Sequence, residues 1–224
     1  MSSQARQILQ EGRGEIAALD ERIQQHPFLA LWETGRASRA TLGLFAGQQQ
    51  HIIASDLRSV ALVVARAGSA STREFFLGML QGEREALRVL PDLAAAGGLA
   101  PGQLPSAEPL PGAFAYSAYV AWLAQYGSPA EFAGAFLVNL EAWGANCGRM
   151  SRALRERYGC SGKDVAFFDL FATASSDFEE RGLAVLEEGL AGGATPAAIR
   201  RAARLLQGYE LLFWDTMLQA AQVL

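Results

Sequence analysis

Apolar residues recur at steps of three and four along nearly the whole chain, and no stretch of useful length alternates with the period of two that a strand needs. The spacing predicts helices over about Ser3–Gln25, Pro27–Trp32, Ser38–Ala67, Ser71–Ala96, Ala113–Gln125, Ser128–Tyr158, Asp164–Leu190 and Pro196–Val223. The punctuation agrees with it. His26 precedes Pro27 and is thereby pushed out of helical geometry. Ser38 reads as an N-cap, and Ser128-Pro129-Ala130-Glu131 reads as a capping box with proline in the first turn. Ser71 or Thr72 is expected to cap the following helix, and Pro91 inside that helix predicts a kink or a break. Residues from Gly97 to Pro111 form the one irregular stretch, rich in glycine and proline. The fold class is all-α, a bundle of about seven helices in a single domain over 1–224 with no internal repeat.

Polar residues interrupt the apolar stripes at a few places. The inner stripe of the Ser38–Ala67 helix reads Leu42, Phe45, Gln49, Ile52, Asp56, Val60, Val63, which sets an amide and a carboxylate among apolar neighbours. Near the C-terminus, Glu210 shares a helix face with Phe213, Trp214 and Met217. Such a carboxylate either reaches water past the helix edge or sits in an apolar pocket, where burial raises its pKa and makes it a candidate acid or base. Gln49, His51, Glu83, Tyr116, Tyr119, Asn139, Glu141, Trp143, Glu210 and Trp214 together are the polar and aromatic residues on otherwise apolar helices. An interior lined by them suits a small, flat, polar molecule: aromatic walls supply contact area, and a few amides and carboxylates fix orientation.

Composition narrows the partners. Hydrophobic residues are 50% and charged residues 19% of the 224, so little charge is left for a surface, and association into a homodimer or homotetramer is expected. The net charge of -4 gives no basic face for nucleic acid. No apolar run reaches the length that spans a bilayer, the N-terminal residues lack the apolar core of a secretory signal, and Cys147 and Cys160 make no disulfide framework; no membrane partner and a cytoplasmic location are expected. No cofactor is implied. With only His26 and His51, and no Glu-x-x-His, no metal site is expected. Cys147 reads more readily as a small buried residue than as a nucleophile.

In order along the chain, four segments carry a resemblance. His26-Pro27-Phe28 with Leu31-Trp32, Leu44 to Ile53, Ala115-Tyr116-Ser117-Ala118-Tyr119 followed by Tyr126-Gly127-Ser128-Pro129-Ala130-Glu131, and Tyr209-Glu210-Leu211-Leu212-Phe213-Trp214 together resemble the TenA/thiaminase II family of the haem-oxygenase-like helical fold. The pyrroloquinoline quinone biosynthesis proteins share the first element. Thiaminase II hydrolyses aminopyrimidines for thiamin salvage with a cysteine nucleophile, an aspartate and a C-terminal glutamate. The resemblance matches the glutamate to Glu210 and a pocket tyrosine to Tyr116. Counted without gaps, the aspartate falls on Gln49, the cysteine on Asn139 and a following aromatic on Trp143. A glutamine is no general base and an asparagine does not attack a ring carbon. Asp56 and Cys147 lie about two helical turns further on, roughly 11 Å of rise, too far to serve the same ligand atom. The resemblance therefore implies a divergent member: Glu210 as the catalytic candidate, Gln49, Tyr116, Asn139, Trp143, Tyr119 and Trp214 as ligand-binding residues, and a heterocyclic, aminopyrimidine-like ligand without standard thiaminase II activity. The alternative is an active divergent enzyme of thiamin salvage, or a related cofactor-biosynthesis oxidase of the same fold.

Overall fold

The computed structural model describes residues 3–100, 102–173 and 176–223. Among them are nine α-helices and no strand: α1 (Gln4–Gln24), α2 (Pro27–Glu33), α3 (Arg39–Arg66), α4 (Ala70–Ala96), α5 (Pro111–Tyr126), α6 (Pro129–Tyr158), α7 (Ala166–Ala172), α8 (Ser176–Ala191) and α9 (Pro196–Ala221). A short 3-10 turn, Leu104–Ser106, lies inside the irregular stretch before α5.

The helix starts follow the local chemistry. Ser38 Oγ accepts from the Thr41 amide at 3.2 Å, and Ser128 and Glu131 complete the capping box from both sides. His26 caps α2 by accepting from the Phe28 amide on Nδ1, so its other ring nitrogen carries the proton and donates to Asp215 Oδ1 at 3.0 Å, tying α2 to α9. Three expectations are corrected. The cap of α4 is Ser69, not Ser71 or Thr72, because its Oγ is the one that reaches the Thr72 amide. Pro91 does not end α4, which continues to Ala96; one missing N–H near a helix end is tolerated when the flanking Leu90, Leu93 and Ala94 are buried. The helix expected over Asp164–Leu190 is two pieces, α7 and α8, and its residues 174–175 lie outside the described residues. The bundle thus has more helices than the expected seven.

Helix α3 is the central strut, packed on α4, α5 and α9. Every residue of its inner stripe is buried, Gln49 and Asp56 included. Its N-terminal end touches the end of α4 at Gly43 and Gly97: a Cβ on Gly97 would lie 2.2 Å from the Gly43 nitrogen, so only glycine permits the approach. Helices α6 and α9 pack across the other side. A Cβ on Gly144 would meet the Phe171 carbonyl at 2.7 Å, and this close contact lets α7 bring its aromatic side against α6. No helix among the described residues is long and apolar enough to cross a membrane.

Candidate functional site

Helices α3, α4, α5, α6, α7 and α9 enclose a small cavity lined by Gln49, Asp56, Glu83, Tyr116, Asn139 and Glu210 among apolar and aromatic side chains. The space open to the centre of a water-sized sphere is about 40 Å³. A wider vestibule, about 310 Å³ on the same measure, lies between α4, α6, α7 and α8. Glu83, Phe136, Leu140 and Phe171 line both hollows, so the vestibule leads to the inner cavity past those side chains.

The α6–α9 side is a closed hydrogen-bond network. Tyr116 donates to Asn139 Oδ1 at 2.9 Å. The Asn139 amide nitrogen donates to Gln207 Oε1 at 3.0 Å and to Glu210 Oε2. Trp214 Nε1 donates to Glu210 Oε1 at 3.1 Å, and Gln207 reaches on to Asp20 of α1. Asn139 therefore uses both donors and its acceptor within the protein, which fixes which end of its amide points where. Both Glu210 oxygens have donors, yet burial still pushes its carboxyl up to about 8; the Trp214 and Asn139 bonds offset only part of that and the Asp20 charge adds to it.

The α3–α4 side is open. Asp56 is 2% exposed and its Oδ1 has no partner. Burial, and then the neighbouring Glu83 charge, hold its carboxyl well above the usual carboxylate range. Burial alone pushes Glu83 up to about 7. Gln49, two turns earlier on α3, is buried and lines the same cavity. The Tyr116 hydroxyl stands between the two sides: burial raises it first, then the charges of Asp56, Glu210 and Glu83.

Aromatic rings form the remaining wall. Trp143 lies parallel to Phe45 at 6.3 Å and edge-on to Phe171 at 5.8 Å and Phe213 at 6.1 Å. Of the residues picked out in the sequence, Gln49, Glu83, Tyr116, Asn139, Trp143 and Glu210 meet on the one cavity. Trp214 is not among the lining residues; it donates to Glu210 and packs behind the wall against Trp143 at 5.6 Å and Phe213 at 5.3 Å. Tyr119 is outside the cavity, stacked on Tyr209 at 5.1 Å and on Trp122 at 5.9 Å, with its hydroxyl on the Ala202 carbonyl. His51 binds the Ala107 carbonyl, and Glu141 pairs with Arg13 at the surface.

Sequence reasoning set Asp56 apart from the ligand because of its distance from Gln49, but it lines the same cavity, at the Glu83 end. It also passed over Gln207, which stands three residues before Glu210 on the buried face of α9; that spacing was the available signal. Cys147 is fully buried, does not line the cavity, and has a thiol pushed well up by burial and by the Glu210 charge, so it is no ready thiolate. Among the described residues no cluster of three or more His, Cys, Asp or Glu could hold a metal ion.

Comparisons with known proteins bear on fold and family. A family model described as the TENA/THI-4/PQQC family matches residues 15–220. A comparison with curated protein sequences gives no match. Among solved structures, a TenA homologue from Pyrococcus furiosus is similar at 20% identity and TM-score 0.74, covering 94% of this chain and 99% of that one. A domain from Shewanella denitrificans with a haem-oxygenase-like fold is similar at 16% identity and TM-score 0.79, covering 96% and 94%. A protein from Sulfolobus solfataricus described as a putative TenA-like thiaminase is similar at 14% identity and TM-score 0.69, covering 98% of each chain. Identities this low show the fold alone, which is haem-oxygenase-like.

Proposed function

The chain belongs to the TENA/THI-4/PQQC family, and on that premise we propose that it holds a small, flat, aminopyrimidine-like heterocycle in the cavity beside Glu210 without carrying out the standard thiaminase II hydrolysis. The observation that supports this reading is the convergence of Gln49, Tyr116, Asn139, Trp143 and Glu210 on one aromatic-walled cavity. Glu210 receives the ligand's amino group or ring nitrogen. Gln49, whose amide lines the cavity, reads the ring edge with one donor and one acceptor. Asn139 stands where the resemblance puts the attacking cysteine, and its amide is no nucleophile; it positions Glu210. The ligand needs more room than the inner cavity has in this state, so it enters with a shift of Phe171 or Glu83 at the vestibule boundary.

Thermal-shift screening tests the reading. Aminopyrimidines should raise the melting temperature of the wild type, and Glu210→Ala should lose that response. If no aminopyrimidine stabilises the wild type more than it stabilises Glu210→Ala, the reading fails.

One observation favours a second reading, an active divergent enzyme. A glutamate pushed up to about 8 is protonated at neutral pH and suited to act as a general acid. Incubation with thiamin and with aminopyrimidines, followed by mass spectrometry, separates the two. Product from the wild type that disappears in Glu210→Gln supports the enzyme; no product from the wild type removes it.

The protein is also proposed to associate with itself as a dimer or tetramer. Exposed Phe114, Trp122 and Tyr126 on α5, with Leu205 and Leu212 on α9, supply apolar surface for this. Sedimentation of the wild type against Trp122→Glu reads it directly: a monomeric wild type ends the proposal.

A further inference from the structure

We infer that the Asp56–Glu83 end of the cavity is a second recognition pole, which takes a protonated nitrogen group of the ligand, an ammonium or amidinium, on the side away from Glu210. The inference rests on the reading above only in treating this cavity as the ligand site.

Four observations carry it. Asp56 is buried to 2% exposure with Oδ1 lacking any partner, although an unpaired buried carboxyl is costly to keep. Gln49, seven residues earlier on α3 and 4% exposed, sets an amide on the same cavity. Neither a lysine nor an arginine is among the residues lining the inner cavity; the cation on the lining of the adjoining vestibule, which Glu83 shares, is Arg181, with Asp177 beside it on that lining. Tyr116, Trp143, Phe171 and Phe213 wall the space with ring faces and edges, which adds cation–π attraction for a flat organic cation. A metal ion fits less well, since Asp56 and Glu83 are a pair and among the described residues no cluster of three ligating side chains exists.

The two poles are carried by different helices, Asp56 on α3 and Glu83 on α4 against Glu210 on α9. The charges of Asp56, Glu210 and Glu83 all act on the Tyr116 hydroxyl, which stands between them. Glu83 also lines the vestibule, together with Asp177 and Arg181. Burial raises both carboxyls, Glu83 to about 7, so an arriving cation that favours their ionised forms releases protons on binding.

Benzamidine and its neutral isostere benzamide are the probes. Isothermal calorimetry on the full chain, in buffers of different ionisation enthalpy, should show benzamidine binding with proton release and no binding of benzamide. Asp56→Asn and Glu83→Gln should each weaken benzamidine by at least about tenfold. Glu141→Gln, at a surface acid outside the cavity that pairs with Arg13, should leave it within about twofold. Equal binding of benzamide, no proton release, unchanged affinity in both acid variants, or no binding at millimolar benzamidine overturns the inference. If Asp56→Asn does not fold, Glu83→Gln and the proton count on the wild type decide it. The outcomes separate from those of the aminopyrimidine screen: 4-aminopyrimidine binding without benzamidine removes this pole alone, and benzamidine binding that depends on Asp56 without 4-aminopyrimidine removes the other reading alone.

Discussion

Two buried acids face the same cavity in opposite circumstances. Glu210 has a donor on each oxygen, from Asn139 and Trp214, and the network runs on through Gln207 to Asp20. Asp56 has a like acid, Glu83, as its charged neighbour and an oxygen with no partner. Burial is the main cause of the raised pKa in both, so burial does not distinguish them. What differs is whether the fold completes the hydrogen bonding. The completed side holds a geometry, and the incomplete side leaves bonding capacity for something else. An unsatisfied buried group that folding tolerates is a natural place to look for a ligand's contribution.

The comparison can be broken most forcefully at Asn139. Asn139→Ala removes the bonds to Tyr116, Gln207 and Glu210 together, and leaving buried partners unsatisfied should cost about 3 kcal/mol in chemical denaturation. A loss well under 1 kcal/mol would mean that the network is decorative.

Next in size is the pH dependence. Glu210 rises from an ordinary 4.5 to about 8 on folding, so its contribution to stability is whole below pH 4.5 and is lost as pH climbs through about 8. Glu83 has the same sign over 4.5 to about 7, and Asp56 is shifted in the same direction. The melting temperature should therefore fall on going from acid to mildly alkaline solution. Glu210→Gln should remove the part of the fall nearest 8, and Asp56→Asn should flatten the curve while raising stability at the alkaline end, since it takes away an unpaired carboxylate. Parallel curves for wild type and both variants would contradict the burial assigned to them.

Smaller still is Tyr116→Phe, which deletes one bond to Asn139 and should cost about 1 kcal/mol. Smallest is Gln49→Leu. Its amide lines the cavity, so unfolding should change by less than about 0.5 kcal/mol while ligand binding weakens. A large destabilisation there would reveal a structural role for the amide and sharpen the contrast against it.

The helix pattern was legible because burial on one face leaves a periodic trace. The stripe from Leu42 to Val63 predicted every buried position it named, and the caps at Ser38 and Ser128 are local chemistry that a sequence shows directly. The cavity was half legible. Gln49, Asn139 and Glu210 are polar residues on apolar faces, so periodicity singles them out. Distance along one helix misjudged Asp56, because the cavity extends along α3 instead of meeting it at one turn. Tyr119 was placed with the ligand on residue type alone, yet its position on α5 turns it toward Tyr209 and Trp122. The split between α7 and α8 left no glycine or proline signal between Asp164 and Leu190 apart from Gly182 and Gly189, neither of which lies at the break.

The boundary shared by the two hollows is narrow, and Phe171 belongs to both. Phe171→Ala would widen that boundary from a short helix that contributes none of the cavity's acids or amides, so the size of the hollow can change by one substitution while its polar groups stay as they are.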